Sequence, residues 1–416
     1  MIDQGSNHII RKCSLIANSA SLQEEYSIIA GNPTVSYFES IESPSISMIV
    51  TFIDADQVIS RKGITGGESI DLTIGVVGFD DEFKIESKKH NLVLNSVKDV
   101  TTAKNRQLAT LEFVSTESII NESSRLNKKF TGNVSSIVDD ILTREKKGIL
   151  TKKKLEKDEA VNSYSFVGNL KRPFDTIQWL CPKAQSSKKD FGFLFFENYE
   201  GYHFKSIKSL LEQDPSATYS SIEVPNNATP LKIVENRLNS SNDVGMNCRM
   251  GMYANKTIYI DLENETYEEV DFDVSELKLK KTPKLSDDFT KPSRLMFRIL
   301  DQGALQKGSK KEEVEKRNEL AIYQNKSYAR NNLLFSQSLS VSMELNISLR
   351  VGNLIQIQFP FKKDPDLTKT QLGKEDDNDI SGRYIVSQLR HIFSNGEAET
   401  QLTLIRDVFT ATKQDA

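Results

Sequence analysis

Apolar and polar positions alternate most clearly near the two ends of the chain. Residues 381–407 read SGRYIVSQLRHIFSNGEAETQLTLIRD, with β-forming residues on both sides of Asn395-Gly396. That dipeptide tolerates positive φ at both positions and favours a two-residue hairpin turn. The pattern predicts an antiparallel hairpin. Residues 90–114 repeat it: Leu92-Val93-Leu94 matches Tyr384-Ile385-Val386, Val97 matches Leu389, Val100 matches Ile392, and Leu111, Phe113 and Val114 match Leu402, Leu404 and Ile405. Upstream, the run from Gly67 to Ile74 parallels the run from Gly352 to Phe359. Further upstream, residues 43–54 loosely parallel 336–347. The chain is therefore expected to carry two copies of one small antiparallel β-unit.

Between the copies the period changes. Val134, Ile137, Val138, Ile141 and Leu142 make one apolar helical stripe, with Asn133 as N-cap. Residues 169–184 predict a second helix with Pro173 in its first turn. A hairpin is expected over 191–207, turning at Asn198 to Gly201, and another over 251–274. Residues 310–337 read as a long amphipathic helix. Residues 361–382 form a polar insertion that the first copy lacks.

The expected fold class is α+β, mainly antiparallel β: two similar small barrels flanking a small α+β domain, plus an irregular insertion. The expected boundaries are an N-terminal arm (1–24), a first barrel (25–118), an α+β domain (119–225) and a second barrel (226–412). The second barrel would hold an inserted hairpin and helix region at about 240–335 and the loop 361–382.

Charge and cysteines narrow the function. At 416 residues and net charge −4, the whole chain carries no signature for nucleic acid or an anionic membrane. Cys13, Cys181 and Cys248 form no paired motif, which suggests a reducing compartment. No apolar run approaches a membrane span and no leader is legible. Nucleotide-binding, zinc-protease and serine-hydrolase motifs are absent. Asp377 to Gly382 resembles half of a calcium loop, but its twelfth position is Gln388 and not a bidentate glutamate. Four scattered histidines do not suggest a metal site, and His391, aligned with Asp99, reads as a solvated strand position. Lys152 to Lys154 reads as a soluble linker. No catalytic, cofactor-binding or metal residue is assigned, and no cofactor is expected.

Three features in order carry a resemblance: the duplicated β-unit, Arg172-Pro173-Phe174-Asp175 followed by the aromatic run from Gly192 to Phe204, and the pattern from Gly352 to Asp407. Over roughly 25–412 the chain resembles the central baseplate hub proteins of T-even-like contractile-tailed bacteriophages. It is more distantly similar to the hub part of type VI secretion valine-glycine-repeat spikes. The resemblance implies a non-enzymatic virion protein, made in the host bacterial cytoplasm. It implies a homotrimer whose doubled barrels make a pseudo-sixfold ring, matching a hexameric tail tube to a trimeric central spike. Baseplate wedge proteins would be further partners, and DNA would pass through the channel without stable binding, with a neutral or acidic lumen and the Lys-rich stretches 151–157 and 278–284 on the outside. A hub of a bacterial injection system is the alternative, and a cell-wall hydrolase a remoter one. The absence of a needle segment after residue 410 favours a hub with a separate spike.

Overall fold

The computed structural model describes the chain except residues 1–6, 19–22, 77–81, 104–105, 144–147, 187–190, 221–230, 242, 263–264, 278–290, 300–323, 360–379 and 409–416. Most of the described chain is strand, arranged as two barrels around a smaller mixed unit.

The first barrel uses β1 (His8–Asn18), β2 (Gln23–Ser27), β3 (Thr34–Ser40), β4 (Ser47–Asp54), β5 (Ser69–Val76), β6 (Glu82–Ile85), β7 (Leu92–Ala103) and β8 (Arg106–Ser115), with the short α1 (Val58–Lys62). Its main order is β1-β5-β7-β8-β4-β3. Alternation along β4 sends Met48, Val50 and Phe52 inward, where each is at most 2% exposed. β1 falls within the segment expected to be an arm, yet it pairs with β5 from His8 to Ile16.

The small unit follows: α2 (Thr116–Ser123), β9 (Lys129–Asn133), α3 (Val134–Thr143), β10 (Lys154–Lys157), β11 (Ser163–Val167), α4 (Pro173–Leu180), β12 (Phe193–Asn198), β13 (Gly201–Ser206) and α5 (Ile207–Leu211). The stripe read on α3 is buried, and Asn133 Oδ1 accepts the Ser135 N–H at 2.9 Å, as a cap should. α4 packs Phe174, Ile177 and Leu180 into the same core as Phe195 and Tyr202.

The second barrel begins earlier than expected. β14 (Thr218–Ser220) lies parallel between β15 (Leu231–Ser241) and a strand near residue 355. An insertion follows: α6 (Val244–Arg249), then β16 (Ala254–Asp261), β17 (Thr266–Asp273) and β18 (Arg294–Ile299) as a three-stranded sheet. A helix at 324–334, α7, covers one face through Asn325, which accepts from Thr257 at 2.7 Å. The rest of the 310–337 helix and nearly all of the 361–382 loop lie outside the described residues. β19 (Gln337–Glu344), β20 (Leu354–Gln358), β21 (Gly382–Ser394) and β22 (Glu397–Arg406) complete the barrel. The six strands β14-β15-β19-β22-β21-β20 close on themselves.

The two barrels share five strands in order and register, β5-β7-β8-β4-β3 matching β20-β21-β22-β19-β15, whereas β1 meets β5 antiparallel and β14 meets β20 parallel. β7–β8 pairs Val93 with Val114 and Leu94 with Phe113, bulges at Asn95, then pairs Ser96 with Glu112. β21–β22 pairs Ile385 with Ile405 and Val386 with Leu404, bulges at Ser387, then pairs Gln388 with Thr403. Gly67 (φ 88°) donates its N–H to Leu94 O at 2.8 Å, and Gly352 (φ 89°) donates to Val386 O at 3.0 Å. Sequence matching misplaced one residue of β7 and one strand. Thr101, not Val100, is the equivalent of Ile392, because they face the corresponding Leu108 and Glu399. Ser47 and Ser338 are equivalent, because each faces the matching residue of its hairpin, Val114 and Ile405. The expected pairing of 43–54 with 336–347 is off by two, a slip that alternation cannot detect because it preserves the buried face.

The two glycines differ in surroundings. A Cβ on Gly67 meets nothing within 4 Å, whereas one on Gly352 lies 2.8 Å from Phe196 Cζ. Gly67→Ala is therefore expected to cost about 1 kcal/mol, from backbone strain alone. Gly352→Ala adds a packed clash and should cost about 3 kcal/mol or more. Equilibrium unfolding in urea compares them, and equal costs would contradict the packing argument.

Candidate functional site

Two features stand out: the seam where the barrels and the small unit meet, and the polar face that runs across it.

The seam is a strand pairing. β21 continues past its own barrel and pairs antiparallel with β3, from Gln388 opposite Ser40 to Phe393 opposite Val35. The two barrels thus belong to one continuous sheet and one apolar core. On the inner side of this seam lies Glu39, 2% exposed. Its carboxylate accepts the Val351 N–H at 2.9 Å, the Tyr199 N–H at 2.7 Å and the Tyr37 O–H at 2.8 Å. Burial raises its pKa, opposed by Arg350 and these donors. Tyr199 is at the β12–β13 turn and Val351 at the turn before β20, so one carboxylate ties three parts of the chain together.

A second buried charge cluster supports the same region. Lys153 Nζ lies 2.9 Å from Glu117 and 2.5 Å from Glu197, with its side chain only 7% exposed. Glu197 also accepts from Ile46 N at 3.0 Å and Ser115 Oγ at 2.6 Å. Burial alone would lower the Lys153 pKa, but Glu197 and Glu117 more than offset it and raise it. The expectation of a soluble linker at 152–154 is corrected for Lys153: it is buried between two carboxylates of the small unit, and Glu197 in turn reaches Ile46 and Ser115 of the first barrel.

His391 is also corrected. It is 0% exposed, lodged among Tyr37, Phe83 and Phe393 with ring centroids 5.7–6.5 Å away. Its Nδ1 lies 3.0 Å from Thr400 Oγ1, which also accepts the Asn346 N–H. Three of the four histidines join one aromatic group. His8 stacks edge-on to Phe393 at 5.4 Å, and His90 lies 4.5 Å from Tyr199, which itself contacts Phe83. Nothing here orients a nucleophile: His391 faces aromatic rings and a threonine.

His203, with Glu156 and Glu200, forms a group whose candidate ligand atoms lie within 4.8 Å of one another. The Lys205 ammonium already sits 2.6 Å from Glu156, and His203 Nε2 donates to Asn198 Oδ1 at 2.8 Å. A lysine placed on the carboxylate does the work that a cation would do there.

The outer face of the continuous sheet is polar across both barrels. A concavity of about 530 Å³ is lined by Ser40, Ser47, Asn239, Ser340, Ser342, Gln388, Gln401 and Thr403, with Glu235, Arg237 and Arg390. The first barrel offers the equivalent positions: Thr51 and Thr110, 3.1 Å apart, and Glu112, paired with Lys98 at 2.7 Å. The side chains are short, hydroxyl- or amide-bearing, and mixed in charge. Such a surface is wettable and has no strong field to hold either sign of ion.

No protein-family model and no curated protein matches the chain. Solved structures do. The tail protein from Neisseria meningitidis MC58 aligns with TM-score 0.52 and 10% identity, over 97% of this chain and 98% of that one. The 43 kDa tail protein of prophage MuSo2 from Shewanella oneidensis aligns with TM-score 0.49 and 9% identity, over 96% and 99%. An E. coli component of the type VI secretion system, described as structurally similar to T4 bacteriophage tail proteins, aligns with TM-score 0.43 and 10% identity, over 97% and 78%. The structural neighbours are thus phage tail and type VI secretion proteins, the structural likeness expected from the sequence. At these identities the Neisseria protein shows the fold that this chain shares.

Two outcomes follow from the seam. Lys153→Met leaves two buried carboxylates without their cation and should cost about 3–5 kcal/mol in urea unfolding. Adding Glu197→Gln should recover part of that loss, and no recovery would show that the charges are not the cause.

Burial lowers His391 from its ordinary value of 6.5 to about 3 and His90 to about 4. Below pH 6.5 the unfolded chain binds protons that the folded chain refuses. Stability should therefore fall as pH drops from 6.5 to about 3, and be insensitive to these groups above 6.5. His391→Phe should flatten that acid limb, and an unchanged slope would refute the assignment.

Proposed function

We propose that the chain is a structural hub of a contractile phage tail baseplate. Three copies form a pseudo-sixfold ring that matches a hexameric tail tube to a trimeric central spike, leaving a channel for DNA. One observation carries the reading: two barrels that share five strands in order and register are fused edge to edge, so their polar faces form a single surface. A protein built only to bind a ligand has no need of a doubled, in-register sheet. A protein that must present six near-equivalent positions from three chains does.

The polar face would line the channel. Its arginines and lysine are interspersed with Glu112, Glu235 and Glu399, so DNA would pass without stable binding. The Lys-rich stretch 151–157 was expected on the outside. Lys153 is consumed in the buried cluster, and Lys157 pairs with Asp139 at 3.0 Å. The stretch 278–284 lies outside the described residues. Tail tube, spike and wedge proteins are the partners this reading requires, and the virion tail is its location.

Negative-stain electron microscopy of the purified protein tests it. Rings with threefold averages and six density lobes around an open centre are expected. Particles of single-chain size at all concentrations, or rings of another order, would overturn the reading.

A further inference from the structure

The chain contains one barrel-to-barrel seam, and its duplication specifies a second that a single copy cannot make. The seam joins β21 of the second barrel to β3 of the first. The shared register makes β7 the equivalent of β21. β3 pairs with β4 and β15 pairs with β19, which makes β15 the equivalent of β3. Each equivalent strand has a bare edge among the described residues. β7 meets β5 at a single position, Val93, and pairs beyond it only with β8. β15 meets β14 only at Leu231 and Lys232.

We infer that the bare edge of β7 pairs antiparallel with the bare edge of β15 from a second copy of this chain. This rests on the ring reading above, and it names the surface that closes the ring. The internal seam fixes the register. Arg390 opposite Phe38 becomes Lys98 opposite Ser240. Relative to their counterparts, β7 carries one extra residue between Lys98 and Thr101, and β15 one between Leu238 and Ser240. The two extra residues fall opposite each other, so the ladder runs on without a slip. Val100 then stands opposite Leu238, and Thr101 opposite Arg237.

An independent observation agrees with that register. Val100 is 46% exposed and Leu238 is 40% exposed in the single chain. The ladder brings these two apolar side chains face to face, the arrangement that stabilises a cross-strand pair. Long bare edges are a hazard that soluble proteins cover or blunt. Here each edge is the other's cover. Because the two edges differ, the contact is head-to-tail, and it closes after three copies when each supplies two of six positions.

The test is a cross-link between positions that are exposed, so folding is not at stake. Val100→Cys and Leu238→Cys are combined in the full chain with Cys248→Ser, since the other native cysteines are buried. The protein is oxidised with copper phenanthroline, run on non-reducing gels, and sized by sedimentation before oxidation. Covalent dimers and trimers from the double variant, absent from either single variant, are expected. Threefold rings in sedimentation and microscopy that yield no covalent species would overturn this seam while leaving the ring reading intact. A monomer that does not cross-link would overturn both.

Discussion

The Glu39 carboxylate is taken out of water, and its charge must be met by donors that the strand carrying it cannot supply. Tyr37 on the same strand gives one hydrogen bond, and the other two come from backbone N–H groups at the hairpin tip of the small unit and at the turn entering β20. Leaving such a group unmet is costly, while meeting it fixes three backbone segments within hydrogen-bond distance. Much of the surrounding geometry follows. Asn198 Nδ2 donates to Val351 O at 3.3 Å, Gln213 donates to Gly352 O at 3.1 Å, and Arg350 lies over the Tyr199 ring at 4.3 Å. The β12–β13 hairpin acts as a wedge between the barrels, and its tip is positioned by Glu39.

Duplication and divergence meet at this place. The bulges at Asn95 and Ser387, and the left-handed glycines at 67 and 352, are the same device used twice. Bulges twist and re-aim a strand, and here both sit where the strand leaves its own barrel. What differs is what lies beyond. In the second barrel the strand runs into β3 and buries His391 against Tyr37 and Phe83. In the first it ends on an exposed edge.

The parts of the fold that the sequence made legible are those decided by near neighbours in the chain. The Asn395-Gly396 turn, the α3 stripe, Pro173 at the start of α4 and the β12–β13 hairpin all rest on local turn chemistry or periodicity, and the structure places each where expected. The duplication was legible because its glycines and apolar triplets repeat in order. The seam was not. Glu39 meets donors 160 and 312 residues away, and nothing near it in sequence distinguishes it from a surface glutamate. Lys153 sits in a run of lysines that gives no sign of burial, and its partners are also distant. His391 looked solvated because alignment compared it with an equivalent position that has no third strand beside it. A residue's burial depends on the neighbouring strand, and that strand is the feature the two copies do not share.

The distance between β3 and β21 along the chain also has a consequence for biosynthesis. Arg390 donates to Ser36 Oγ across 354 residues. A chain emerging from a ribosome folds its N-terminal units first. The first barrel is contiguous from β1 to β8 and needs no later segment for its own pairing, whereas its β3 edge must wait for nearly the whole polypeptide. Throughout elongation that edge is bare, with Tyr37 and Glu39 beside it still lacking their distal partners. The joint between the barrels is therefore the last to set. A message cut short before the C-terminal hairpin would leave the β3 edge of the first half without its partner strand, an open edge of the kind that pairs with other chains.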